Sequence, residues 1–170
     1  MKSKFVVGYA AVIVAAFVGA LAIMPTPSFA QKKTYEVHMC SLLTESDVAP
    51  IVGAKQLAQE TKGGMTCMWG DPGNDPNKLR LLIQAPAFSA TSDMSFKANR
   101  KQAFEDKTSQ AKDEPQLGKN AFSAVMDDGA EIIILKKNAL LNIRFLSGKR
   151  GTPENVEAIR KVATKVAASF

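Results

Sequence analysis

The chain has 170 residues, 46 % of them hydrophobic and 22 % charged, with a formal charge of +6 that falls to +4 once Lys2 and Lys4 are set aside. The bases are scattered as pairs and singles, and no stretch interleaves them with aromatics as single-strand binders do, so nucleic acid is excluded as a partner. The chain holds a single histidine, His38, which excludes the multi-histidine zinc constellations.

Residues 1–30, "MKSKFVVGYAAVIVAAFVGALAIMPTPSFA", begin with two lysines, continue through an apolar run from Phe5 to Met24 and end in a small-residue site at Ser28 and Ala30. This is the pattern of an export signal cleaved after Ala30. The apolar run also reaches the ~20 residues that span a bilayer, so an uncleaved anchor is the alternative. Either way the domain is exported, to the periplasm or beyond the cell. Membrane contact is expected only if the segment stays uncleaved. Residues 31–39 form an N-terminal extension, and 40–170 are one domain's worth of chain with room for a single modest core.

Cys40 and Cys67 are the only cysteines. An even set in an oxidising compartment is expected to pair, closing a loop of about 28 residues and stabilising by roughly 3–4 kcal/mol on the chain-entropy account. Thr44 caps a short helix, with Asp47 as its capping-box partner and Gly53 as its stop, and Pro50 lies inside it. Three strand-like runs follow, "KQLAQET", "GMTCMWG" and "KLRLLIQAPAF", separated by Gly63–Gly64 and by the turn-rich "DPGNDPN" at 71–77. In the second run, alternation puts Met65, Cys67 and Trp69 inward and Thr66 and Met68 on the other face.

From Ser92 to about Gln110 the spacing predicts an amphipathic helix with Phe96, Ala103 and Phe104 near one face. A loop, "AKDEPQLGKN", leads to three more strands with tight turns at Asp128–Gly129 and Lys137–Asn138. In the last of them Leu141, Ile143 and Phe145 alternate against Asn142, Arg144 and Leu146, which predicts one buried and one partly wet face. Thr152 and Pro153 start a closing helix lined by Val156, Ile159, Ala163, Val166 and Phe170. The expected fold is a single α+β domain of order α-βββ-α-βββ-α, its sheet largely antiparallel and its helices packed on one face.

"CSLLTESDVAPIVG", "CMWGD" some twenty-five residues later, "LGKNAFSAVMDDGAEIIILKKNALLNIRF" and a basic amphipathic final helix together resemble a group of small exported bacterial domains of unknown function, often found as lipoproteins in actinobacteria. The resemblance spans most of the exported part. It implies a disulfide between a cysteine ahead of a Leu-Leu-Thr helix and one in Cys-x-Trp, here Cys40 and Cys67. The chain lacks that group's lipid-attachment cysteine. What the resemblance implies is a fold more than a function.

Enzyme chemistry finds no foothold in the sequence. No Gly-x-Ser-x-Gly elbow and no Cys-x-x-Cys pair is present. The carboxylate pairs Glu45/Asp47, Glu105/Asp106, Asp113/Glu114 and Asp127/Asp128 fall in caps, helix surfaces and turns, where charge serves solubility and local hydrogen bonding. Asp71, Asn74, Asp75 and Asn77 offer oxygen ligands but lack the glycine and glutamate of a calcium loop. Elimination leaves a non-enzymatic binding or accessory domain of the cell envelope that needs no cofactor and meets a protein or envelope component. Its binding surface is expected at Arg80, Asn142 and Arg144 on an exposed sheet face, or at the 70–77 loop with Asp71 and Asn74. Two alternatives are a copper site built from His38, Met39, Met65 and Met68 beside the disulfide, and a small-ligand carrier.

Overall fold

Thr44 and Asp47 form the expected reciprocal cap: the Thr44 N–H donates to Asp47 Oδ2 at 2.6 Å, and helix α1 runs Glu45–Val52. It stops at Gly53, whose φ of +95° is a conformation that side chains other than glycine's rarely adopt. This is a computed structural model, and it describes residues 38–53, 57–60, 65–70, 78–84, 89–137 and 139–170, all within one compact unit, Thr34–Phe170. Residues 1–30, expected to be a signal or anchor, and 71–77, expected to be a loop with Asp71 and Asn74, lie outside the described residues. Among the described residues no helix is long and apolar enough to cross a membrane.

Among the described residues seven strands make one antiparallel sheet: β1 Leu57–Glu60, β2 Thr66–Gly70, β3 Lys78–Gln84, β4 Lys112–Asp113, β5 Ala121–Met126, β6 Gly129–Lys136 and β7 Ala139–Leu146. Their order across the sheet is β1-β2-β3-β7-β6-β5-β4. Two meanders therefore meet at the β3–β7 pair, where Leu81 lies opposite Ile143. The α+β class and the antiparallel sheet stand. The two-residue β4 and a 3-10 turn at Pro115–Leu117 occupy the stretch expected to be loop.

The expectation that the helices share one face does not hold. Helix α1 and helix α3, Pro153–Ala168, cover one face, where Val48, Val52, Ile159 and Val166 pack with Trp69, Ile132, Ile134, Leu141 and Ile143. Helix α2, Ser89–Glu105, lies on the other, where Phe96 packs with Phe122, Ile133 and Leu140. The reason is topological. Because β3 pairs with β7 in mid-sheet while the chain next enters at the far edge, α2 must cross the sheet, and the α1/α3 face is already filled. Helix α3 starts at Thr152 and Pro153 and buries a stripe that includes Val156, Ile159, Ala163 and Val166, as its sequence predicts, and Asn155 completes a capping box with Thr152.

Cys40 and Cys67 are bonded, with their Cα atoms 5.1 Å apart, which ties the 3-10 turn at Met39–Leu42 to the middle of β2. Cys67 and Trp69 are buried as alternation requires. Met65 is not: it precedes β2 in a bend and is 43 % exposed, so the inward face of this run begins at Cys67.

Candidate functional site

The register sets rows of residue positions across the α2 face of the sheet. One row runs Met68, Arg80, Arg144, Glu131, Ala124 across β2, β3, β7, β6 and β5. The adjacent row carries Asn142, Ile133 and Phe122. Phe122 anchors α2 by edge-to-face contacts, its ring centroid 5.7 Å from that of Phe96 and 6.2 Å from that of Phe104. Beside this anchor, helix and sheet do not close on each other. A cavity of about 390 Å³ remains, with Asn99, Gln102, Ala103 and Asp106 above and Glu131, Asn142 and Arg144 below.

Asn99, Gln102 and Asp106 recur at intervals of three and four, which stacks them along one side of α2 and its C-terminal extension. That side flanks the apolar anchor of Phe96 and Ala103 and overhangs the cavity, with Asn99 half-buried and Gln102 and Asp106 exposed. On the floor, Asn142 Nδ2 donates to Glu131 Oε2 at 3.3 Å, and Arg144 Nη2 donates to Asp128 Oδ1 at 2.7 Å. Asn142 Oδ1 and Arg144 Nε are buried and have no hydrogen-bond partner among the described residues. Leaving a buried polar atom unpaired costs about 1–3 kcal/mol, and such atoms concentrate where a structure serves something other than stability.

The cavity mouth is set by backbone. Gly151 lies so close to the Gly129 backbone that a Cβ has no room, and its N–H donates to the Met126 carbonyl at 2.9 Å. This holds the 148–151 segment against the β5–β6 turn and places Arg150, whose Nη1 and Nη2 donate to Asp127 Oδ1 and the Thr108 carbonyl, both at 2.5 Å. Two hydrogen bonds from Thr108 hold the Asp106 carboxyl below its usual range, so a full negative charge stands at the rim.

The residues expected to bind are brought together in part. Asn142 and Arg144 line the cavity, and Arg80 is the register partner of Arg144 on the next strand. Their face is not an open sheet surface, because α2 covers it. The copper set is dispersed: Met39 is 1 % exposed in the α1/α3 core, Met65 is at the surface, and Met68 lies on the sheet face opposite Cys67. His38 is exposed, and its carbonyl caps the first turn by accepting from the Ser41 N–H and hydroxyl.

Two acidic residues have roles that sequence reasoning missed. Glu131, assigned nothing, is 8 % exposed on the cavity floor. Glu114, read as a turn charge, is 2 % exposed. Arg160 donates to it twice, at 2.9 and 3.0 Å, and Ser123 once at 2.6 Å. Burial pushes the Glu114 carboxyl up, but these donors outweigh it and hold the group below its ordinary value. This pair is satisfied on both sides and fastens α3 to the edge of the sheet. The signal for Glu131 was the "GAEIIILK" run, in which one charge stands beside three isoleucines of a strand buried on both faces. Set beside family models, curated proteins and solved structures, the chain matches none.

Proposed function

We propose that the chain is an exported, non-enzymatic binding domain of the cell envelope that takes a small polar ligand in the cleft between α2 and the sheet. The disulfide is compatible with the oxidising compartment to which the leader would deliver it. The observation that carries the reading is the cleft itself: about 390 Å³ of space, within the size range of small-molecule sites, over a floor with two unpaired buried polar atoms. A solid core between α2 and the sheet would have argued for binding through an outer surface. The cleft instead favours the carrier reading over docking of a large partner, and Arg144 and Asn142 serve it from the floor.

The test is thermal denaturation of the full chain, purified in mild detergent, against a panel of small polar metabolites. At least one is expected to raise the melting temperature, as about 2.7 kcal/mol of stabilisation accompanies a hundredfold excess over Kd. The rise should vanish in Gln102→Leu and Arg144→Glu and persist in Lys161→Ala, which lies on α3 across the sheet. A panel that moves nothing, or shifts indifferent to Gln102 and Arg144, refutes the reading.

A further inference from the structure

We infer that the ligand of this cleft is a neutral carboxamide, a compound that offers the N–H and C=O of a peptide-like unit and carries no charge, an inference that rests on the cleft being the binding site. The charges on the floor already answer one another. Arg144 Nη2 donates to Asp128 Oδ1 at 2.7 Å, Arg150 donates to Asp127, and Glu131 accepts from Asn142 Nδ2 at 3.3 Å. What is left over is one acceptor and one donor. A carboxylate oxygen accepts, so Asn142 turns its Nδ2 toward Glu131 and its Oδ1 away, and that oxygen is buried with no donor among the described residues. Arg144 spends Nη2 on Asp128 and leaves its buried Nε–H with no acceptor among them. The two residues stand two apart on one face of β7, so their backbones are about 7 Å apart along the strand, a reach that one amide unit covers with a hydrogen bond at each end. From the helix, Asn99 and Gln102 overhang this floor with amides that donate and accept alike.

Other ligand classes fit less well. An anion would have to displace Asp128 or Asp127 from its arginine and would pass the Asp106 carboxylate on the way in, and an ammonium would have to displace an arginine from its carboxylate. Either gives up its own hydration without finding a free counter-charge. Ala103, Ala124, Met126 and Ile133 line the same cleft, so a sugar would turn hydroxyls toward groups that cannot replace their water. Among the described residues no group of three or more His, Cys, Asp or Glu side chains converges to hold a metal ion. An amide with an aliphatic substituent sets its polar unit on the floor and its carbon against that apolar wall.

The experiment is calorimetric titration of the full-length protein in mild detergent with two neutral amides, N-acetyl-L-leucinamide and isobutyramide. Beside them stand N-acetyl-L-leucine, L-leucinamide and L-leucine, which give the same side chain a negative charge, a positive charge and both, and glucose as the polyol. At least one neutral amide should bind ten- to a hundredfold more tightly than any of these four, because only it meets both unpaired atoms without bringing a charge to be desolvated. Arg144→Lys, which keeps a cation beside Asp128 and removes Nε, and Asn142→Leu, which removes Oδ1, should each weaken that binding about tenfold, with folding checked by melting temperature. Gln102→Leu, an exposed position on α2, leaves the floor untouched and should also weaken it. If a charged form or glucose binds as tightly as both amides and Gln102→Leu abolishes that binding, the carboxamide inference falls while the cleft reading stands. If none of the six probes binds, or binding ignores Gln102→Leu, the carboxamide inference falls as well, and the metabolite panel then decides the cleft reading independently.

Discussion

Asp47 shows how a single carboxylate can serve two elements at once. It caps α1 through Thr44 and accepts from Lys165 Nζ of α3 at 2.5 Å. The hydrogen bond from Lys165, reinforced by those from Thr44, lowers its pKa from 3.8 to about 2. A carboxyl whose pKa is depressed by folding stabilises the fold in full above its ordinary value and ceases to do so as the pH falls through the depressed one. The melting temperature should therefore fall between pH 4 and pH 2, and Lys165→Met should flatten that fall while lowering stability only slightly at neutral pH. An unchanged slope in the variant would remove Lys165 from the account. The cap was legible in the sequence because its partners are three residues apart. The Lys165 contact was not, because 118 residues separate the two ends.

At the scale of elements, α2 is the helix with the least holding it. Its apolar anchor is Phe96, helped by Ala103, against Phe122, Ile133 and Leu140. Arg100 adds three hydrogen bonds to Asp113 and lies 4.3 Å above the Phe104 ring. Phe122→Ala removes the ring that both phenylalanines of α2 meet, and a loss of about 3–4 kcal/mol is expected for a fully buried phenylalanine. Hydrogen exchange should show the amides of Ser89–Glu105 losing protection before those of α3, since the variant undermines one face of the sheet and not the other. Equal loss in both helices would mean that the faces do not act separately. The sequence marked α2 by its period, but only the crossing of the sheet shows that Asn99 and Gln102 come to line the cavity beside it.

For the whole molecule, the disulfide and the cleft lie on opposite faces of one sheet. Cys67 belongs to the α1/α3 core, and the cleft to the α2 side. Replacing Cys40 and Cys67 together by serine should lower the unfolding free energy in urea by about 3–4 kcal/mol. Any ligand-induced rise in melting temperature should keep its size. A rise lost together with the disulfide would show that the two faces are coupled. The strand that carries Cys67 and Trp69 thus serves as a staple on the face away from the cleft.

What the sequence by itself determined is whatever rests on near neighbours: the strands, the tight turn at Asp128–Gly129, the capping box of α1, the Thr152 cap and buried stripe of α3, and the pairing of the only two cysteines. Each follows from hydrogen-bond partners a few residues apart, from a repeat of two or 3.6, or from a count. The tertiary structure alone decided which face α2 covers, that Arg144 and Asn142 line a cleft instead of an open sheet, and that Glu114 and Glu131 are inside. Those depend on β3 meeting β7 in mid-sheet and on partners such as Arg160, 46 residues from Glu114. A polar residue carries no local mark of burial, because what decides its burial is the element that comes to lie over it.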